Sequence, residues 1–324
     1  MSRIDPMVRL LLLAMVLATV LPVGGRWAGV AQFVSNAAVF VLFFLNGLRL
    51  PRREVIAGIG KWRLLVPLVL FVFVAMPAAG WLLWLGTGQV LPPLLALGFL
   101  FLGTLPSTVQ SATAYTSLAG GNVASSVVAA ALLNIIGVFV TAPLFALLAG
   151  SSAAGFDGAG LIKVMTILLL PFALGQALQG RLGDWVSGHR QLVVWMDRSS
   201  IAIAVYVAFS NAVRQGIWSQ IDPAGWAGLV AGCAALLVFG YVGSWLLARL
   251  IGLERGDRIA MMYAGAQKSV AMGAPLATVL FPPAAAGVIL LPMLAYHLAQ
   301  LVVAAPLAAR LKANAATYTN RLMH

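Results

Sequence analysis

The sequence predicts an all-α polytopic membrane protein with ten transmembrane helices, and three observations lead there. Of its 324 residues 62% are hydrophobic and only 9% charged, with a mean hydropathy of +0.99, a composition outside that of soluble globular domains. The apolar residues fall in ten segments, each near the ~20 residues a helix needs to cross a bilayer. The basic residues then collect on one side of the resulting map, as the positive-inside rule requires of the cytoplasmic side.

Taken in order, the segments run near residues 8–24, 29–48, 63–86, 91–117 and 122–149, then 161–180, 192–213, 224–249, 259–281 and 285–309. The first follows Arg3 and Arg9 as a signal peptide would, but no small-residue cleavage site leads into a soluble domain, so it is read as a span. Arg49, Arg52, Arg53, Lys61 and Arg63 lie at the turn between spans two and three. Arg181, Arg190 and Arg198 flank the turn between spans six and seven, and Arg249, Arg255 and Arg258 the turn between spans eight and nine. Arg310, Lys312 and Arg321 follow span ten. Sixteen of the 20 basic residues therefore share the side of the two termini; Arg26, Lys163 and Arg214 fall opposite, and Lys268 falls inside the membrane. Both termini are expected in the cytoplasm, and the membrane is expected to be a bacterial-type inner (plasma) membrane.

The net charge of +12 suggests nucleic acid only in a soluble protein; beside spans it sets orientation, and no nucleic-acid partner is expected. The connections are short, so the function resides within the lipid bilayer. Small residues such as Ala124-Ser125-Ser126 and Ala129-Ala130-Ala131 in span five let helices approach closely.

The chemistry centres on span nine, where Gly265-Ala266-Gln267-Lys268-Ser269 is followed by Gly273-Ala274-Pro275. A charged side chain at mid-bilayer costs roughly 2.5–3.5 kcal/mol on insertion scales and normally faces a cavity. Gly265, Gly273 and Pro275 are expected to interrupt the helix there, which is tolerated only in protein or against a cavity. The other reading of Lys268 is structural, an ammonium that snorkels or pairs with a carbonyl. Span four carries Pro106-Ser107-Thr108-Val109-Gln110-Ser111. Its proline removes a helical bond, while Ser107, Thr108, Gln110 and Ser111 offer neutral ligands for an ion or polar solute. Ser126 and Asn134 of span five extend this set. For each, the alternative is a bond to its own or a neighbouring helix.

Spans four and nine are each fourth in a group of five, so the chain divides into repeats at residues 1–150 and 151–324. Five is odd, and the halves insert with opposite orientation. Inverted repeats with interrupted helices in matching places point to a midplane site. All eight acidic residues lie in or close to loops, which argues against a carboxylate cation site. His189, His297 and His324 are dispersed and Cys233 stands alone, so no metal site or cofactor is expected; His297 reads as a core histidine. No nucleophile has an evident base, which argues against an enzyme.

These residues resemble the bile acid:sodium symporter superfamily, in its SBF-like branch with the vertebrate member-seven solute carriers, over nearly the whole chain. The resemblance rests on Phe43-Phe44-Leu45-Asn46-Gly47-Leu48-Arg49-Leu50, on Leu105-Pro106-Ser107-Thr108 with Ala119-Gly120-Gly121-Asn122, and on Gln267-Lys268-Ser269 with Gly273-Ala274-Pro275-Leu276-Ala277 and Leu280-Phe281-Pro282. It implies panel and core domains, with interrupted spans four and nine crossing in the core. It carries over Gln267 as a crossover ligand, Gln110 with Ser111 as the span-four pair, and Ser126 and Asn134. Sodium-coupled members have a glutamate four residues before the span-nine glutamine and an asparagine after it; here these are Tyr263 and Lys268. Sodium coupling is thereby put in doubt, and a proton is the other candidate. The expected function is secondary active transport of a small organic anion by alternating access, with Lys268 and Ser269 near the solute. An alternative of another class is a membrane regulator of ion homeostasis without net solute transport. The oligomeric state stays open.

Overall fold

The computed structural model of the protein describes residues 6–49, 59–150, 158–216, 219 and 221–322. Arg3, Arg52 and Arg53 lie outside them. Over the described residues the fold is all helical. In order come α1 (Pro6–Val20), α2 (Ala28–Arg49), α3 (Trp62–Thr87), α4 (Pro93–Thr104), α5 (Gln110–Leu118) and α6 (Val123–Ala149). Then follow α7 (Gly158–Gly188), α8 (Arg190–Arg214), α9 (Pro223–Leu250), α10 (Arg255–Ala266), α11 (Val270–Leu280) and α12 (Pro283–Leu322). Among the described residues six helices are long and apolar enough to cross a membrane: Gly25–Arg49, α3, α6, α8, α9 and Pro283–Ala313 of α12. The shorter helices α4 with α5, and α10 with α11, are two apolar segments each divided near its middle.

Local sequence explains the divisions. Leu105 precedes Pro106, whose ring disfavours helix at the preceding residue; Leu105 is extended (φ −72°, ψ 145°) and α4 ends at Thr104. The polypeptide resumes helix at Gln110. In span nine Gln267 (φ −77°, ψ 133°) and Ser269 (φ −85°, ψ 104°) are extended. Ser269 then caps α11, its Oγ accepting from the Met272 amide at 3.2 Å, the role serine favours at a helix start. The break is narrower than the glycines and proline suggest. Gly265 lies inside α10, and Gly273 and Pro275 lie inside α11. Gly273 serves close packing instead, since a Cβ there would come 2.7 Å from the Leu105 side chain.

Two long helices carry a π turn, α3 at Phe71–Ala75 and α9 at Phe239–Gly243. The rings of Phe71 and Phe239 stack with centroids 5.6 Å apart, so the bulges pack on each other. At α6, Asn122 Oδ1 accepts from the Ser125 amide at 3.1 Å; at α9, Asp222 Oδ1 accepts from the Gly225 amide at 2.7 Å, ahead of a proline preset for helix entry.

The helices sort into two groups by contact. In the first, α2 packs on α7 and α8, and α8 packs on α1. In the second, α4 packs on α3 and α12, while α10 packs on α5, α6 and α9. The groups meet chiefly where α8 lies on α11 and α12. Small residues set the closest approaches: at the α2–α7 contact a Cβ on Gly47 would lie 2.2 Å from the Phe172 carbonyl and 3.1 Å from the Gly175 Cα. Both obstacles are backbone and cannot swing away.

Gly47→Ala is therefore expected to destabilise the protein by about 1–3 kcal/mol, as overpacking does. Gly29→Ala, whose Cβ meets nothing within 4 Å, leaves stability unchanged or raised. Thermal unfolding of the two variants in one detergent checks this.

Candidate functional site

The candidate site is built on the two breaks, because each leaves helix-end donors and acceptors that need partners. They meet directly: the Ser269 amide donates to the Pro106 carbonyl at 3.0 Å. Ser111 Oγ donates to Gln267 Oε1, and Thr108 Oγ1 lies within bonding distance of Ser111 Oγ. Thr108 Oγ1 also accepts from the Ser111 amide at 3.2 Å, capping α5 as Ser269 caps α11. Asn134 Nδ2 donates to the Ser107 carbonyl at 3.0 Å.

Lys268 is fully buried among these residues. Its Nζ donates to the Gly103 carbonyl at 2.9 Å and the Leu105 carbonyl at 2.7 Å. Those carbonyls belong to the C-terminal end of α4, where the helix dipole is negative and a cation is favoured. The ammonium thus replaces the donors that α4 lost when it stopped. Lys268 is not among the residues lining the two cavities of this region; its Nζ is directed instead at backbone carbonyls, the pairing that the structural reading of this residue expects.

Residues of α12 complete the crossover. Gln300 grips the Lys268 peptide with both ends of its amide, Oε1 accepting from the Lys268 N–H at 2.8 Å and Nε2 donating to its carbonyl at 3.1 Å. Tyr296 donates its hydroxyl to the Ala266 carbonyl at 2.6 Å. Gln267 Nε2 donates to the Tyr241 hydroxyl at 3.3 Å. Sequence reasoning did not single out Tyr241, Tyr296 or Gln300. Tyr296, His297 and Gln300 do stand on one face of an apolar span at i, i+1 and i+4 spacing, and that polar cluster was the available signal. Tyr263, where sodium-coupled symporters resembling this chain have glutamate, is buried and donates to the Ala304 carbonyl at 3.2 Å.

Among the described residues, two cavities stand out between the helix groups. The larger, about 570 Å³, has Asn46, Arg49 and Arg190 on one wall and Gln110, Asn134 and Met272 on the other. The second, about 150 Å³, reaches the crossover and is lined among others by Ser111, Ser269 and His297, with Arg49, Asp197 and Arg198 opposite. Arg49 is paired with Asp197 and lies 3.4 Å from the Val193 carbonyl. Arg49 Nε, Arg198 Nε and Asp197 Oδ1 are buried atoms without a hydrogen-bond partner among the described residues. Asp197 was expected beside a loop; it stands instead in the second turn of α8 against this cavity. Of the other expected ligands, Ser107 is buried at the break. Ser126 is fully buried away from both cavities and is within 3.5 Å of the Thr113 hydroxyl and 3.3 Å of that of Thr116. These contacts join α5 to α6.

A family model for the SBF-like CPA transporters matches residues 5–313. The chain is 38% identical over 313 residues to the putative symporter YfeH of Escherichia coli, covering 95% of this chain and 93% of that protein. It is 39% identical over 301 residues to an uncharacterized protein of Pseudomonas aeruginosa, covering 93% and 90%. The sodium/bile acid cotransporter 7 of Mus musculus is 26% identical over 295 residues, covering 86% and 83%.

If the crossover depends on donors brought by α12, Tyr296→Phe leaves the Ala266 carbonyl unpaired while keeping the ring. It is expected to lower stability by about 1–3 kcal/mol, the cost of an unsatisfied buried acceptor. A thermal melt unchanged from the parent protein would contradict that role.

Proposed function

Because the chain belongs to the SBF-like CPA transporter family, we propose that it is a secondary active transporter of an organic anion, working by alternating access between panel and core domains in a bacterial inner membrane. The panel is α1, α2, α7 and α8; the core is the remainder. Two inverted repeats are supported by matching features: a π turn in α3 and in α9, a capped break before α5 and before α11, and an amide from α6 or α12 on the facing break carbonyl.

The observation that carries the anion is the charge around the cavities. Among the described residues that line them, Arg49, Arg190 and Arg198 face the one carboxylate of Asp197, and Arg49 Nε and Arg198 Nε have no hydrogen-bond partner among the described residues. A carboxylate or sulfonate would accept from both guanidinium groups, and such charge-assisted bonds are worth about 1.5–3 kcal/mol. Anion recognition passes from Lys268 to these arginines. Ser269, Ser111, Gln110 and Asn134, which line the second cavity, supply neutral contacts.

The larger cavity reaches exposed Ser187 and Arg190, on the basic side that the positive-inside rule makes cytoplasmic together with both termini. At the opposite end α8 and α12 close together, since a Cβ on Gly287 would lie 2.3 Å from the Ala208 carbonyl. This is an inward-facing arrangement. Sodium is disfavoured as the coupling ion, because the Lys268 amino group already occupies the carbonyls ending α4. In its charged form it would repel a sodium ion ~4 Å away by about 4 kcal/mol at an effective dielectric of about 20.

The test is a thermal-shift panel of mono- and dicarboxylates and sulfonates on the purified protein, followed by counterflow in proteoliposomes. A bound anion at 100 times its dissociation constant is expected to stabilise by about 2.7 kcal/mol, equally in sodium and choline chloride. Arg198→Gln should fold yet weaken that anion by about 10-fold or more, near 1.4 kcal/mol. Stabilisation that requires sodium would refute the coupling reading. Binding without counterflow would instead favour the regulator of ion homeostasis.

A further inference from the structure

We propose that His297 is a proton-binding site whose occupation frees the Lys268 peptide from Gln300 of α12. The inference begins with the orientation of one amide. Gln300 must present Oε1 to the Lys268 N–H and Nε2 to the Lys268 carbonyl, because a reversed amide would set donor against donor and acceptor against acceptor. The peptide thus fixes which end of the side chain carries hydrogens. The second hydrogen of Nε2 is directed to His297 Nδ1, 2.9 Å away.

Nδ1 must therefore accept, and the ring in this structure is neutral imidazole with its hydrogen on Nε2. Histidine is the side chain whose charge changes most readily near physiological pH. When a proton adds to the Nδ1 lone pair, the ring carries a hydrogen on both nitrogens. Two donors then face each other across 2.9 Å. Gln300 cannot turn its amide over without losing both bonds to Lys268, so either the amide or the imidazolium must leave. The Lys268 peptide, at the unwound centre of span nine, loses its partner on α12.

The surroundings allow a proton to arrive and to be held. His297 lines the second cavity together with Asp197 and Arg198 of α8 and Arg49 of α2, so a proton can reach the ring from that cavity. An anionic solute held at those arginines would stand beside the same cavity, and solute and proton binding would then be linked. The other ionisable groups packed nearby are engaged. The Lys268 ammonium is on the α4 carbonyls, and the Tyr241 and Tyr115 hydroxyls bond the carbonyls of Gln300 and Leu301 at 3.4 Å. Tyr296 bonds the Ala266 carbonyl, and Tyr263 that of Ala304. Neither α4 nor α11 contributes an ionisable side chain.

The link to solute movement rests on the transporter reading, but the proton site is testable without any solute. Hydrogen–deuterium exchange is followed by mass spectrometry on the full chain in lipid nanodiscs between pH 8 and pH 5, corrected for intrinsic exchange. Peptides spanning residues 265–272 should exchange about 10-fold faster at the acid end in the parent protein. His297→Asn keeps an acceptor near the Nδ1 position and does not titrate, so exchange should stay slow throughout. Gln300→Leu should exchange fast at both ends, and serves alone if the asparagine variant does not fold. A parent protein without the pH step, or a step that persists in either variant, overturns the proposal. A step that behaves as expected in a protein without counterflow would uphold the proton site and remove the transport reading instead.

Discussion

Two helices stop inside the molecule, and the unpaired peptide groups this leaves are the constraint on which the rest depends. An unsatisfied backbone group costs several kcal/mol where no water can reach it, so a membrane protein can break a helix only if other elements bring partners. Here the segments satisfy part of the need mutually, through the Ser269 amide and the Pro106 carbonyl. The remainder comes from three kinds of donor. Asn134 and Gln300 supply side-chain amides, Tyr296 a hydroxyl, and Lys268 an ammonium. The helices α6 and α12 are thereby fixed against the breaks, and the second helix group is built around them.

The charges follow from the same constraint. An ammonium buried in a low-dielectric interior is costly unless it is paired and hydrogen-bonded. Lys268 meets that condition against the end of α4, where two carbonyls and the helix dipole act together. A residue so engaged is poorly suited to bind and release a solute. Arg49 and Arg198 stand differently, at the boundary between helix groups, beside a cavity and with part of their donor capacity unused. The cavities lie where one group of helices meets the other, while at the crossover α6 and α12 hold the two breaks.

Much of the fold is legible in the sequence because the bilayer imposes a length on each apolar segment. The expected spans 29–48 and 122–149 match α2 at Ala28–Arg49 and α6 at Val123–Ala149 closely. The interruptions near Pro106 and Lys268 were legible too, since proline before a polar run and a charge in an apolar segment are local signals. Gly265, Gly273 and Pro275 misled because glycine and proline also serve close helix packing, and nothing local distinguishes the two uses.

What the sequence by itself determined is the all-helical, apolar character of the chain, the limits of segments such as 29–48 and 122–149, and the bias of its basic residues; these depend on composition along the chain. What only the tertiary structure decided is the partner of each. Lys268 meets carbonyls 163 and 165 residues away, and Gln300 meets a peptide 32 residues away. Asp197, near a segment end in the sequence, faces the cavity because α2 brings Arg49 against it. A hydrogen bond depends on position in three dimensions, and the pairing of donors with acceptors across a buried crossover is set by how the helices pack.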